Sequence, residues 1–303
     1  MKGVETMLPV RIGFIGFGEV ASIFSKAIRE HGAEVYATDI LLDQEKGDEI
    51  IRGRMLAKGI QLGSLPEVIQ NSDYVLSTVT TQVAKTVAEE ASSLLRARQI
   101  YLDLNSTSPA SKVDIGQVIL SSEADFVEGA VLGAVGVAGA QTRILVAGTR
   151  GEQAARNLTK LGLNVSFYSP EIGKASMFKM LRSIFSKGLE CLILELLIAG
   201  RRAGIGEDLW KDITSFMAKK PFDQIADNWV RTHAIAYERR YHEMHQVVET
   251  MLEIGVEPIM SNATRLFFQR SVSLRFDDQF PAQPDSSDEV VNALEVGIRT
   301  TLP

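Results

Sequence analysis

A glycine-rich turn near the start of the chain has the spacing expected of a diphosphate-binding site. It follows an apolar run and opens an amphipathic segment, and its residues are Gly16, Phe17, Gly18, Glu19, Val20 and Ala21. The first glycine allows a tight turn, and the second lets a phosphate approach the backbone, where the helix N-terminus supplies amide donors. The alternative is that these glycines only shape a tight connection between a strand and a helix.

An acidic residue ends the next apolar run at the offset expected for a ribose ligand. Asp39 lies about 20 residues after the glycine turn, where a carboxylate accepts hydrogen bonds from a ribose 2'-hydroxyl and repels a 2'-phosphate. The pattern predicts a dinucleotide site that favours NAD over NADP. The alternative is that Asp39 only begins a loop and that Arg52 or Arg54 meets a 2'-phosphate. We also assign to the cofactor site three residues around the end of a later strand: Thr78, Val79 and Thr80.

The order of apolar runs predicts the elements that hold this turn. From Val10 to about Phe167, short apolar runs alternate with helical stretches, which is typical of βαβ units and a mostly parallel, doubly wound sheet. The predicted strands are Arg11–Ile15, Glu34–Thr38, Tyr74–Thr78, Ile100–Leu104, Phe126–Val131, Ile144–Ala147 and Asn164–Tyr168. After Pro170 the patterns are helical. We therefore predict an α/β protein with a Rossmann domain over residues 1–169 and an all-α domain over residues 170–303.

Two polar segments follow predicted strands of this sheet. Residues 103–109 carry hydroxyls and an amide at a strand's carboxyl end, where open α/β sheets bind ligands, although Ser108 before Pro109 also fits a helix cap. Residues 128–136 are mostly small, which suits either a tight loop or backbone amides that approach a carboxylate. Either segment is a candidate substrate contact.

The helix predicted from Gly173 has a polar stripe on an otherwise apolar surface. The stripe contains Ala175, Lys179, Arg182, Ser183, Ser186, Lys187 and Glu190, at spacings of three and four residues. Such a stripe either faces solvent or lines a cleft between the two domains.

The order of these motifs resembles the β-hydroxyacid dehydrogenase family, the relatives of 6-phosphogluconate dehydrogenase and hydroxyisobutyrate dehydrogenase. The cofactor turn, the segment Asp103–Pro109, the glycine Gly133 and the segment Gly173–Lys179 are similar to successive family motifs, and His242-Glu243-Met244 resembles a later one. The resemblance implies that Lys179 is the catalytic lysine and that the protein is at least a homodimer.

The chain departs from the family pattern at the substrate motifs, which indicates a divergent branch with its own acid or sugar acid. Asn105 and Ser106 replace a Ser-Thr pair, Leu132 replaces a serine, Ser183 replaces an asparagine, and His242 replaces a lysine. The resemblance implies a substrate site that includes Asn105, Ser106, Gly133, Ser183 and His242.

The expected reaction is hydride transfer between nicotinamide and a small hydroxy acid or sugar acid, with decarboxylation where the product is a β-keto acid. Lys179 takes the hydroxyl proton in oxidation and returns it in reduction. Two alternatives remain: an imine reductase of similar architecture, which does not require the lysine, and a non-catalytic dinucleotide-binding sensor.

Composition limits the other classes of function. The formal net charge of −6 gives no general attraction to nucleic acid or anionic lipid, and we expect a small anionic substrate instead. No signal peptide or membrane anchor is expected. The apolar segment Ile184–Gly200 carries charged residues that would be costly inside a bilayer, so it is interpreted as a buried helix of the protein and not as a membrane span. A single cysteine, which forms no internal disulfide, fits a cytoplasmic protein. The histidines His242 and His245 are typical of solvated helix faces, so no metal is expected.

Overall fold

The computed structural model describes residues 9–301, and the chain divides into two compact units between Ser183 and Ile184. Within the described residues of the first unit, eight strands form one sheet. They are β1 (Arg11–Ile15), β2 (Glu34–Thr38), β3 (Ile60–Leu62), β4 (Tyr74–Ser77), β5 (Ile100–Asp103), β6 (Asp125–Leu132), β7 (Arg143–Ala147) and β8 (Val165–Ser169). Their order across the sheet is β3-β2-β1-β4-β5-β6-β7-β8.

The strand order creates a crevice where ligands of doubly wound folds bind. The chain leaves β1 toward β2 on one side and later returns to β4 on the other, so the order reverses between β1 and β4. All pairs are parallel except β6 with β7. The connection between these two strands, residues 133–142, is too short for the usual crossover of a dozen or more residues, which explains the antiparallel pairing.

Helices cover both faces of the sheet, as the alternating sequence pattern predicts. In the first unit they are α1 (Glu19–Glu30), α2 (Gly47–Arg54), α3 (Leu65–Gln70), α4 (Ala84–Ser92), α5 (Pro109–Leu120), α6 (Val135–Ala138) and α7 (Gly151–Lys160). Helix α5 begins as its sequence indicates, because the Ser108 side chain accepts a hydrogen bond from the Ser111 amide and Pro109 occupies the first turn.

The second unit is helical. Helix α8 (Lys174–Arg202) runs across the boundary, and α9 (Gly206–Met217), α10 (Phe222–Glu253), α11 (Ile259–Ser273) and α12 (Ser287–Thr301) follow. Its core contains Ala234, Tyr237, Phe276 and Val290, all buried. Glu195 of α8 accepts hydrogen bonds from the Met260 and Ser261 amides and so holds the first turn of α11. None of the described helices combines the length and apolarity needed to cross a bilayer.

The predicted fold class is confirmed, with two differences in detail. The edge strand β3 was not predicted, because three residues are too few to show a period of two. The prediction that residues 184–200 form a buried helix is wrong in its burial: Ile184 is 72% exposed and Leu194 53% exposed. Helical periodicity identifies the helix, but the apolar character of a face does not say what covers it.

The contacts divide the chain into two units inside α8, between Ser183 and Ile184. The first turn of α8 packs on the sheet, where Ala175 lies in one cluster with Ala130, Leu145 and Ala147. The contacts therefore group residues up to Ser183 with the sheet. The domain boundary near Pro170 stays a prediction from the change of sequence pattern.

Candidate functional site

The glycine turn is held in shape by the strands on either side of β1. The Gly16 amide donates to the Thr38 carbonyl at 2.9 Å, and the Thr78 hydroxyl donates to the Gly16 carbonyl at 2.7 Å. Gly16 has a φ of +85°, and a Cβ there would lie 2.9 Å from the Thr78 carbonyl oxygen. A Cβ on Gly18 would meet nothing within 4 Å. Gly16 therefore makes the turn, and Gly18 leaves open space beside the N-terminus of α1.

Asp39 is directed at this turn. One carboxylate oxygen accepts from the Phe17 amide at 2.7 Å, and the other accepts from the Leu41 amide at 2.9 Å. Each oxygen keeps a lone pair for a further donor, such as a ribose hydroxyl. The acid at the end of β2 thus both caps the following turn and shapes the loop that leaves β1.

A cavity of about 1060 Å³ opens at this edge of the sheet. The predicted cofactor residues that line it are Gly16, Gly18, Asp39, Val79 and Thr80. Apolar side chains that the sequence analysis did not assign form much of its wall: Leu41, Leu42, Leu62, Leu65, Val83 and Val87. An apolar wall with a few placed polar groups is typical of a nucleotide pocket, and the open space at Gly18 fits a diphosphate, so these residues fit NAD.

The other predicted cofactor residues form or support the turn and the helix that follows it. Phe17 is fully buried, and Thr78 fastens the turn through its hydroxyl. Glu19 and Val20 form the first turn of α1. Arg54, considered in the sequence as a partner for a 2'-phosphate, lines the cavity and donates to the Phe17 carbonyl at 3.3 Å. Arg52 is exposed and pairs with Asp48.

A second group of polar side chains lies where β5 ends. The Lys179 ammonium donates to the Ser106 hydroxyl at 2.7 Å, which joins α8 to the segment after β5. Lys179 is half-buried, and this burial lowers its pKa below the ordinary lysine value, with a further decrease from the positive charge of Lys112. A lysine with a lowered pKa beside a hydroxyl has the properties of a general acid or base.

Asn105 and Ser183 use their side chains within the protein. The Asn105 amide group is buried and donates to the Ser77 hydroxyl at 2.9 Å. The Ser183 hydroxyl donates to the Lys179 carbonyl, one turn back along α8. Three buried polar atoms near Asn105 have no hydrogen-bond partner within the described chain: Asp103 Oδ2, Asn105 Oδ1 and Thr107 Oγ1.

The remaining predicted substrate residues lie in different units. Gly133 follows β6 with a φ of +138°, next to Leu132, which packs against the cluster around Ala175. His242 lies on α10 of the second unit, exposed, with its ring 5.3 Å from that of Tyr241. The first unit thus joins Lys179 to Ser106, and Ser183 lies one turn further along α8.

Asp103 and Glu128, which lie in the two candidate substrate segments, form a buried charged cluster with Lys112, which the sequence analysis did not assign. Lys112 of α5 donates to the Asp103 carbonyl at 2.8 Å, lies 3.2 Å from its carboxylate and contacts the Gly129 carbonyl at 3.4 Å. Glu128 accepts hydrogen bonds from the first turn of α8. Lys112, Asp103 and Glu128 are each at most 1% exposed. No local sequence pattern indicates this cluster, because its members come from three separate elements, β5, α5 and β6.

Comparison with known proteins identifies the family. Residues 11–169, more than half of the chain, match the NAD binding domain of 6-phosphogluconate dehydrogenase. The chain belongs to this family. Residues 201–271 match a domain of unknown function (DUF1932). The cofactor prediction is therefore confirmed at the level of an NAD-binding domain.

Similar proteins include dehydrogenases and reductases. A conserved protein of unknown function, described as structurally similar to 3-hydroxyacid dehydrogenases, is 31% identical, covers 89% of this chain and 97% of its own, and gives a TM-score of 0.59. The 2-(hydroxymethyl)glutarate dehydrogenase of Eubacterium barkeri is 21% identical over 85% of this chain and 88% of its own length.

An imine reductase from Myxococcus stipitatus, solved with NAD+, is 17% identical over 89% of this chain and 96% of its own, with a TM-score of 0.75. At this identity the likeness concerns the fold. Together with the family match, the 31% identical protein and the glutarate dehydrogenase place the chain on a divergent branch of the NAD-binding proteins related to hydroxyacid dehydrogenases.

Proposed function

We propose that this family member transfers hydride between a nicotinamide cofactor and a small hydroxy acid or sugar acid, with Lys179 as the general acid and base. The observation that carries the proposal is the contact between Lys179 and Ser106 at the carboxyl end of β5. This end of an open parallel sheet is where ligands bind. Bound nicotinamide supplies the acceptor or donor of hydride.

The protein's own residues handle the proton. In oxidation, neutral Lys179 takes the proton of the substrate hydroxyl, and in reduction its ammonium returns that proton to the carbonyl oxygen. Because burial and Lys112 lower the pKa of Lys179, the neutral form is more abundant near neutral pH than for an exposed lysine. Ser106 holds the amine at the strand end, and the backbone at Gly133 offers amides to a substrate carboxylate. Where the product is a β-keto acid, loss of CO2 from its carboxylate leaves an enolate, which takes up a proton to give the ketone.

The cavity charges favour NAD over NADP. Acidic side chains at the cavity outnumber basic ones: Asp39, Asp43, Asp48 and Glu90 line it together with Arg54. A 2'-phosphate adds negative charge close to Asp39, where electrostatic repulsion weakens binding. We expect NADH to bind more tightly than NADPH in fluorescence titrations of the two dinucleotides.

A substrate panel and one pair of variants test the catalytic role. We would follow NADH formation from NAD and a panel of hydroxy acids and sugar acids, and measure released CO2 for the β-hydroxy acids. Lys179→Ala is expected to lower kcat by at least about 100-fold, the usual contribution of a general acid or base. The control is Lys174→Ala, an exposed lysine on the same helix that pairs with Glu171. An unchanged kcat in Lys179→Ala would sink the proposed role.

An imine reductase is the second candidate, because that fold is similar over 89% of this chain. Such a reaction does not require a lysine base. Reduction of cyclic imines by NADH or NADPH, with activity retained in Lys179→Ala, would favour it. Tight NADH binding with no turnover of either substrate class would favour a dinucleotide sensor.

We also propose that the chain forms a homodimer through the apolar surface of α8. This surface includes Ile184, Phe185, Leu194 and Ile198, each more than half exposed. Apolar surface of this extent on a helix is typical of an interface between subunits. Light scattering after size exclusion is expected to give twice the chain mass of 33.2 kDa, and Ile184→Glu is expected to lower it.

A further inference from the structure

Glu128 holds the helix that carries Lys179. One carboxylate oxygen accepts from the Ala175 amide at 2.8 Å, and the other accepts from the Ser176 hydroxyl at 2.9 Å. These two donors lie in the first turn of α8, which starts at Lys174. A carboxylate at this position satisfies a free amide of the helix N-terminus and interacts favourably with the helix dipole. The clamp comes from β6, about 47 residues earlier in the chain.

Lys179 lies one helical turn beyond the clamped residue. Residues four apart in a helix lie on the same side, so Ala175 and Lys179 face the same way. Ala175 is fully buried against the sheet, and Lys179 reaches the Ser106 hydroxyl from the same side. The position of the Lys179 amine is therefore set by where the first turn of α8 is held.

The Ser106 side of the contact is fixed by the other two members of the cluster. The Asp103 carboxylate accepts a hydrogen bond from the backbone amide of Asn105 at 2.8 Å. Lys112 binds the carbonyl and the carboxylate of Asp103. Lys112 thus has three acceptors around it, the number that an ammonium group satisfies. Buried charged groups hold both partners of the Lys179 hydrogen bond.

We propose that Glu128 is a positioning residue for Lys179: its buried carboxylate fixes the first turn of α8 and thereby keeps the Lys179 amine half-buried against Ser106. This proposal rests on the proposed function for its catalytic meaning. Its structural content, the placement of the amine, is independent of turnover.

Charged groups from several elements lie on the side of the sheet where α8 packs, and the one that acts on Lys179 is Lys112. Lys112 of α5 carries the buried positive charge, and Asp103 of β5 and Glu128 of β6 carry negative ones. Arg143 of β7 has the same alternation as Leu145 and Ala147, so it points to the face on which α8 packs. Because these charges lie on different elements, a shift of α8 changes both the burial of Lys179 and its distance from them.

The test measures the reactivity of Lys179 and needs no substrate. Acetic anhydride reacts with neutral amines, so the acetylation of Lys179 as a function of pH, quantified by mass spectrometry on the folded full-length chain, reports its protonation. The variants are Glu128→Gln and the milder Ser176→Ala, which removes one donor to Glu128 and leaves the buried carboxylate in place, so that it is expected to fold even if Glu128→Gln does not. Acetylation of the exposed Lys174 in the same sample serves as the internal reference.

The matched control is Glu195→Gln. Glu195 is also a buried carboxylate that clamps a helix start, through the Met260 and Ser261 amides and the Ser261 hydroxyl, but it lies in the second unit. Both glutamine variants are expected to lower the Tm by a similar amount. Glu128→Gln is expected to raise the acetylation midpoint of Lys179 toward the ordinary lysine value, because the greater exposure of the amine outweighs the loss of one negative charge. Ser176→Ala changes no charge and is expected to raise the midpoint less.

The results separate positioning from structural support. A raised Lys179 midpoint in Glu128→Gln and Ser176→Ala, with no change in Glu195→Gln, supports the proposal. An unchanged Lys179 midpoint in both Glu128→Gln and Ser176→Ala overturns it. An equal shift of the Lys179 midpoint in Glu195→Gln also overturns it. Neither result depends on turnover, so a failure of the substrate panel or of Lys179→Ala is distinguishable from a failure here.

Discussion

The helical unit contains a buried histidine that makes its stability depend on pH. His233 is 8% exposed, its Nε2 lies 2.8 Å from the Ser271 hydroxyl, and its ring stacks on Phe268 at 5.2 Å. Burial lowers the pKa of His233 to about 4, with a smaller contribution from the positive charge of Arg240. The aromatic surroundings favour the neutral imidazole.

The sign and size of the effect follow from linkage. The unfolded chain binds a proton near the ordinary histidine pKa of about 6.5, whereas the folded chain binds it only near 4, so stability is present above 6.5 and is lost as pH falls. For these two values the free energy of unfolding decreases by about 2 kcal/mol between pH 7.5 and pH 5, and by about 3 kcal/mol at the acid limit.

Urea denaturation followed by tryptophan fluorescence measures this change. Both tryptophans of the chain, Trp210 and Trp229, lie in the helical unit, so the signal reports that unit. His233→Phe fits an aromatic cluster and cannot titrate, so it should remove about 2 kcal/mol of the loss between pH 7.5 and pH 5. His245→Gln, an exposed histidine on the same helix, is the control and should keep the wild-type dependence. Equal losses in wild type and His233→Phe would refute the reasoning.

Three further predictions concern the sheet unit. Gly16→Ala is expected to weaken NADH binding and to lower the Tm, because the added Cβ would clash with the Thr78 carbonyl. Gly18→Ala is expected to weaken NADH binding at an unchanged Tm, and an unchanged Tm in Gly16→Ala would contradict the reasoning. Asp39→Ala is expected to reduce the affinity for NADH more than that for NADPH in titrations, and an unchanged ratio would contradict the role of its charge. Lys112→Met is expected to lower the free energy of unfolding, measured by urea denaturation, by about 3–5 kcal/mol, because Asp103 loses its buried cation. Adding Asp103→Asn should recover part of this loss, and no recovery would contradict the pairing.

The cofactor half of the molecule was predictable because its signals are local. The turn from Gly16 to Ala21 lies between a strand and a helix that both show clear periodicity, and Asp39 follows at a fixed offset. The structure places Gly16 and Asp39 at one cavity, with the Phe17 amide bonded to Asp39. Neighbouring parallel strands end at the same edge, so residues after successive strands meet without any information beyond their order.

The substrate half was predictable only in part. The sequence drew attention to Lys179, Ser106 and Asn105, and the structure joins the first two but turns Asn105 inward to Ser77. Alternation places a side chain on one face of a strand, but after the strand ends it gives no direction. The position of Asn105 is decided by which buried polar group needs a partner, here the Ser77 hydroxyl between β4 and β5.

By itself, the sequence determined the Rossmann unit, the helical unit and the NAD-binding turn, because short-range periodicity and glycine placement encode them. Only the tertiary structure decided that Glu128 clamps the start of α8, that Lys112 lies buried beside Asp103, and that His233 is neutral in an aromatic cluster. A charged residue in a sequence is expected at the surface, and whether it can be buried depends on partners contributed by distant segments. Those partners exist only once the sheet and the helices have packed.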